Sequence, residues 1–291
     1  MAGSPGEQCR FSPDRLPAGA DPDGPADGMR TLEVRLAYDG GDFHGWQLQP
    51  DRPTIQAALI RAGQEVLGRG VGVVGASRTD AGVHALGQVA SVRTSSRLAP
   101  RAVARALNAR LPSAVRVLAA REAPAGFDAR RWAESKRYVY VLDLGPAAHP
   151  FLRRFAWHVP VGLDRSGMTK ALRHLRGQHD FSAFCASAGR GRTPFCTLRS
   201  ARVVIRRQRL AIVISADSFL HHMVRNIVGS LVEVGRGARP ADWVAEVLVG
   251  RDRRLAGPTA PAHGLTLLRV RYRRDGAGMP VRPGGGRSGG G

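Results

Sequence analysis

A chain of 291 residues with 44 basic and 23 acidic side chains carries a formal net charge of +21, which points to a polyanionic partner. Three cysteines, Cys9, Cys185 and Cys196, are too few for a disulfide framework and suit a reducing compartment. The sequence holds neither the ~18-residue apolar run of a membrane span nor a basic-then-apolar secretion leader, so a cytoplasmic protein with no membrane contact is expected.

Residues 1–28 are rich in Gly, Pro, Ala and Asp and have no hydrophobic period. Such a segment buries too little to fold, so a disordered leader is expected, with Met29 as a second candidate start. "LEVRLAY" (32–38) alternates Leu32, Val34, Leu36 and Tyr38 on one face, which is strand period. Thr54 is placed to cap a helix with Ile55, Ala58, Leu59, Ala62 and Val66 on its apolar face and Gly68 at its end. "VGVV" (71–74) and "QVASVR" (88–93) read as strands on either side of the loop "GASRTDAGVHA" (75–85). Pro100 opens a helix, and "AVRVLAA" (114–120) returns as a strand.

A second half starts near the strand "KRYVYVLDL" (136–144). Asp164 caps a helix carrying Met168, Leu172 and Leu175; "ARVVIRR" and "RLAIVISA" form a hairpin. Ser218 caps "FLHHMVRNIVGSLVEVG", Pro240 opens another helix, and "LTLLRVRY" (265–272) closes as a strand. The pattern predicts an α/β (α+β) protein of two similar lobes, 29–125 and 126–275, sharing one sheet, with a disordered Gly-rich tail over 276–291.

Three clusters carry chemistry. In the 75–85 loop, Gly82 permits a tight turn after Asp80, and Arg78 lies two residues before it. A lone Asp with no second carboxylate does not fit a glycosidase pair, and Asp80 with His84 is too small a set for a metal. Taken alone, the loop fits a structural turn as well as a nucleophile. In the second cluster, His221, His222, Arg225 and Asn226 lie off the apolar stripe Leu220, Val224, Ile227, Leu231, Val234. Adjacent histidines on a helix diverge by about 100°, so no shared metal is expected there. A zinc enzyme using these histidines with Cys185 and Cys196 is the alternative, but those cysteines are eleven apart and lack the short spacing of such sites. In the third cluster, Trp132, Tyr138 and Tyr140 alternate with Arg130, Arg131, Lys136 and Arg137. That fits base stacking beside phosphates, and equally a strand with its tyrosines in the core.

"YDGGDFHGWQLQ", "GASRTDAGVHALGQVA", "LNARLP", "RRWAESKRYVYVL", "FLHHMVRNIVGSLVEVG" and "HGLTLLRVRY" occur in this order, and over about residues 30–275 the chain resembles the bacterial tRNA pseudouridine synthase A family. Ser77 stands where that family usually has glycine, and Arg110 in "NARLP" is another departure. The resemblance implies a pseudouridine synthase fold with a central mixed sheet flanked by helices. It implies a homodimer binding one tRNA across two subunits, and isomerisation of uridine to pseudouridine at positions 38–40 of the anticodon arm, without metal or organic cofactor. By motif, Asp80 is the catalytic aspartate, Arg225 its ion-pair partner and Tyr138 the residue stacked on the base. Arg78, His84 and His221 are further substrate-binding candidates. The competing reading is an RNA-binding module without catalysis, which leaves Asp80 unexplained.

Overall fold

The computed structural model describes residues 28–186 and 193–283. The leader over 1–27, residues 187–192 and the tail from 284 lie outside the described residues.

The chain runs β1 (Arg30–Tyr38), α1 (Ile55–Leu67), β2 (Gly72–Gly75), β3 (His84–Thr94), α2 (Pro100–Arg110) and β4 (Val115–Glu122). It continues with β5 (Ala133–Asp143), β6 (Trp157–His158), α3 (Arg165–Arg173), β7 (Gly177–Asp180), β8 (Phe195–Arg206) and β9 (Arg209–Ala216), and ends with α4 (Met223–Gly235), α5 (Trp243–Gly250) and β10 (Leu265–Tyr272). All ten strands form one sheet in the order β4-β1-β3-β10-β5-β9-β8-β7, with β2 on β3 and β6 on β5. It is mixed, as expected: β3–β10 and β5–β6 are parallel, and the other pairs are antiparallel.

The β3–β10 pairing is the seam between strands of the first half and strands of the second. It is short, with Thr266 opposite His84 and Leu267 opposite Ala85. β5 lies on the far side of β10, where Leu267 faces Tyr138. The loop before β3 and the middle of β5 are therefore held about two strand spacings apart, roughly 10 Å. That is close enough for side chains from both to share one site.

Local sequence explains the elements. Leu32, Val34, Leu36 and Tyr38 of β1 are all buried. On the opposite face Glu33 is buried too, and Arg121 and Arg274 neutralise it at 2.6 and 3.1 Å. Thr54 caps α1 by accepting the Ala57 amide, and Asp164 caps α3 by accepting those of Ser166 and Gly167. The β8–β9 hairpin forms as expected.

Two expectations change. The helix expected to start after Ser218 starts only at Met223: His222 sits in the left-handed region at φ 60°, and a turn over His221 and His222, closed by the Met223 amide donating to the Leu220 carbonyl, precedes it. α4 is also buried almost all round, and Asn226 is fully covered, its amide donating to the Phe184 carbonyl. Of the Gly-rich tail, residues 276–283 lie among the described residues. Arg274 bridges to Pro280, and the Val281 amide donates to Arg273.

Candidate active site

The 75–85 loop is not a free turn. Gln88 donates to the Ser77 carbonyl at 2.7 Å and accepts from the Ser77 amide at 3.3 Å. The Thr79 carbonyl accepts from the Trp46 amide at 3.0 Å, and the Thr79 hydroxyl bonds the Tyr38 hydroxyl at 2.8 Å. Gly45 is the point of closest approach: its φ is +85°, and a Cβ there would sit 2.7 Å from the Thr79 oxygen. The segment 43–46 thus clamps the loop from outside. Gly82 makes its exit turn at φ +78°, and the Val83 amide donates back to Asp80. Asp80 is therefore presented by a braced backbone.

Arg225, in the first turn of α4, reaches Asp80 with Nη1 3.3 Å from Oδ2. The Arg225 Nε donates to the Ala260 carbonyl at 2.8 Å, and the Ala260 amide donates to the Arg225 carbonyl at 3.2 Å. One edge of the guanidinium is thus tied to the 257–260 segment while the other faces the carboxylate. That segment is itself fixed: the Arg253 guanidinium donates to Asn226 Oδ1 and Thr259 Oγ1. The pair is only partly covered, with side-chain exposures of 14% for Arg225 and 22% for Asp80.

Tyr138 of β5 is buried, and its hydroxyl is 2.8 Å from Ser77 Oγ. Phe219 stands edge-on to its ring at 5.1 Å. Burial pushes the Tyr138 hydroxyl up to about 12; the nearby Asp80 charge adds to this and the Ser77 hydrogen bond opposes it. Tyr138 is thus a neutral phenol at physiological pH. Arg78 is exposed, and it lines with Asp80, Tyr138, Phe219 and His221 an open cleft of about 960 Å³.

The turn ahead of α4 brings both histidines to Asp80. His221 Nε2 is 3.8 Å from Oδ1 and His222 Nε2 3.5 Å from Oδ2, and the two rings lie 3.9 Å apart. A non-glycine residue in the left-handed region costs of order 1–3 kcal/mol and persists where the surroundings impose it, often at functional sites. Burial lowers the His222 pKa and Arg225 and His221 lower it further, against the pull of Asp80. The neutral ring therefore dominates at neutral pH.

His84 does not belong to this cleft surface. It is 2% exposed. Its Nδ1 lies 3.0 Å from both the Gly40 amide and Asp39 Oδ1, and its Nε2 donates to the His263 carbonyl at 3.1 Å. The ring packs 4.8 Å from Phe155. His84 joins β3 to the 261–264 segment and is closed to a ligand, which corrects its place among the substrate-binding candidates. Burial lowers its pKa, against the upward pull of Asp39. The sign follows: below its ordinary value of about 6.5 the unfolded chain takes up a proton that the folded chain refuses, so stability falls as pH falls. Between about pH 7.5 and 5.5 the melting temperature should drop less for His84→Gln than for the wild type; equal drops would contradict this.

Of the three aromatics interleaved with cations, only Tyr138 reaches the cleft. Tyr140 is fully buried and donates to the Pro261 carbonyl, and Trp132 packs edge-on to Phe127. Cys185 and Cys196 take no part in any described cluster of three metal-ligating side chains. Nothing in the sequence marks Ser77 and Gln88 as site residues, since their part depends on the fold bringing Tyr138 and the loop together. Ser77→Gly should remove the only described partner of the Tyr138 hydroxyl. The expected cost is about 1 kcal/mol, or roughly 2–4 °C in melting temperature, with activity retained. An unchanged melting temperature would show that the bond contributes nothing.

Comparison with known proteins gives the same direction. A family model described as tRNA pseudouridine synthase matches residues 36–130 and 171–273. The chain is 44% identical over 259 residues to tRNA pseudouridine synthase A of Myxococcus xanthus, covering 89% of this chain and 97% of the relative. It is 47% identical over 248 residues to the protein of that name from Chloroflexus aurantiacus, covering 84% and 89%. For the one from Brachyspira hyodysenteriae the identity is 36% over 249 residues, covering 85% and 100%.

Proposed function

The chain belongs to the tRNA pseudouridine synthase family, and from that premise we propose that it isomerises uridine to pseudouridine at positions 38–40 of the tRNA anticodon arm, with Asp80 as the catalytic aspartate. The observation that carries this is the braced Asp80 carboxylate, paired with Arg225 at 3.3 Å and set beside Tyr138 in one cleft.

The reaction breaks the bond between ribose C1′ and uracil N1, turns the base and joins C1′ to C5. The C5 hydrogen leaves as a proton and N1 gains one, so substrate and product are isomers. Asp80 serves this as an ionised carboxylate, either adding to C1′ or to C6, or removing the C2′ proton. Arg225 favours the ionised form by opposite charge. Tyr138 provides a ring against which the freed base stays stacked while it turns, with its hydroxyl anchored on Ser77. Phe219 braces that ring.

The target base must first leave its stack, at a cost of a few kcal/mol that phosphate contacts offset. Arg78 at the cleft and the net charge of +21 supply such contacts. His221, also on the cleft wall, is a contact for the flipped nucleotide. A homodimer holding one tRNA across two subunits belongs to the same proposal, and sedimentation of the protein with and without tRNA tests that part. Among the described residues no helix is long and apolar enough to cross a membrane. No cofactor enters the scheme.

Loss of the C5 hydrogen gives a direct assay. tRNA carrying tritium at uridine C5 should release it to water in proportion to the pseudouridine formed. Tight tRNA binding with no release would favour the alternative, an RNA-binding module.

A further inference from the structure

Asp80, His221 and His222 are, among the described residues, the one group of three metal-ligating side chains whose donor atoms all lie within 4.8 Å of one another. The separations from each histidine to the carboxylate, 3.8 and 3.5 Å, are too long for good hydrogen bonds, which end near about 3.2 Å. They are close to the spacing of two ligands on one small ion. Ligands about 2.0–2.1 Å from a tetrahedral zinc are about 3.4 Å from each other. The convergence has a backbone cause. His222 at φ 60° turns the chain just before α4, so the two rings lie side by side instead of diverging as they would on a helix. His221 is half-exposed and has room to close the remaining gap.

We propose that Asp80, His221 and His222 form an inhibitory site for a divalent cation of the zinc class, one that binds imidazole. Two imidazoles and one carboxylate are a donor set used by such ions, with a fourth position left to water. Magnesium does not fit, because it takes oxygen ligands in octahedral array. Arg225 and His222 both lie nearest Oδ2, so an ion held through Oδ1, on the His221 side, needs the His222 ring to turn toward that oxygen. The guanidinium charge weakens the ion's binding but does not occupy its position. A bound ion takes the carboxylate electrons that the isomerisation needs and fills the cleft where the uridine enters. Metal and tRNA therefore compete. That inhibition rests on the proposed function; the binding site does not.

The test uses the full chain without an affinity tag. Zinc is titrated by calorimetry, with cobalt as a coloured substitute and magnesium as control. One zinc per chain is expected, with tritium release falling over the same zinc range and returning when a chelator is added. His222→Asn is the informative variant because asparagine tolerates the left-handed backbone; His221→Gln is the second. Each should weaken zinc binding at least about tenfold, since losing even an outer-shell partner costs that much, and cobalt should lose its coordination colour. No zinc bound to the wild type, or zinc bound by both variants as tightly as by the wild type, would overturn the site. If the wild type binds zinc here yet never releases tritium even without metal, the site stands and the proposed reaction fails.

Discussion

Asp80→Asn is expected to lower the rate of pseudouridine formation by at least about 10⁴-fold, the scale on which removing one reacting group from an enzyme acts. The amide keeps the shape of the carboxylate and can still occupy the braced loop, so the fold should survive. It has neither the charge to attack carbon nor the basicity to remove a proton. Binding of tRNA should not weaken. Affinity for RNA comes largely from phosphates neutralised by cations, and the substitution removes an anion from a basic cleft. A variant with near wild-type turnover would show that Asp80 is not the reacting group. A variant that loses tRNA binding along with turnover would show that the carboxylate shapes the cleft rather than the chemistry.

Arg225→Met is expected to be the next most damaging change. It removes the guanidinium 3.3 Å from Asp80 and, with it, the bond to the Ala260 carbonyl. Breaking a buried ion pair by deleting one partner costs roughly 3–5 kcal/mol. Asp80 keeps 22% of its side chain exposed, so water offsets part of this, and about a 10²-fold loss of rate is expected. Arg225→Lys should fall between the two. The charge survives, but one ammonium cannot hold both Ala260 and Asp80 in the planar fork. Equal rates for the methionine variant and the wild type would mean that the pair is incidental.

Much of this site is legible in the sequence, and the legible parts share a reason. Strand and cap signals are local: the alternation through Leu32–Tyr38 and the caps Thr54 and Asp164 depend on neighbours a few residues away. Asp80, Tyr138 and Arg225 are marked by motif. What stays hidden depends on contacts between distant segments. Nothing in "GWQLQ" says that Gly45 and Trp46 clamp the Thr79 carbonyl. Nothing near Ser77 says that its hydroxyl meets a tyrosine 61 residues on. His84 misleads because its motif position next to the loop is right and its direction is not: β3 carries it under Gly40 and His263. The start of α4 misleads for a physical reason as well. "SFLHHMVRN" has the composition of a helix start, but His222 takes the left-handed region and the helix begins only at Met223, with Arg225 against Asp80 and Ala260 and Asn226 against Phe184.

The reaction proposed for this chain acts at defined positions of one RNA. The most direct measurement is to map pseudouridine in unmodified tRNA after incubation with the purified protein, beside a reaction with Asp80→Asn. Pseudouridine at positions 38–40 with the wild type, and none with the variant, is the result this account requires. Intact uridine at those positions with protein that binds the tRNA, or pseudouridine formed equally well by Asp80→Asn, would contradict it.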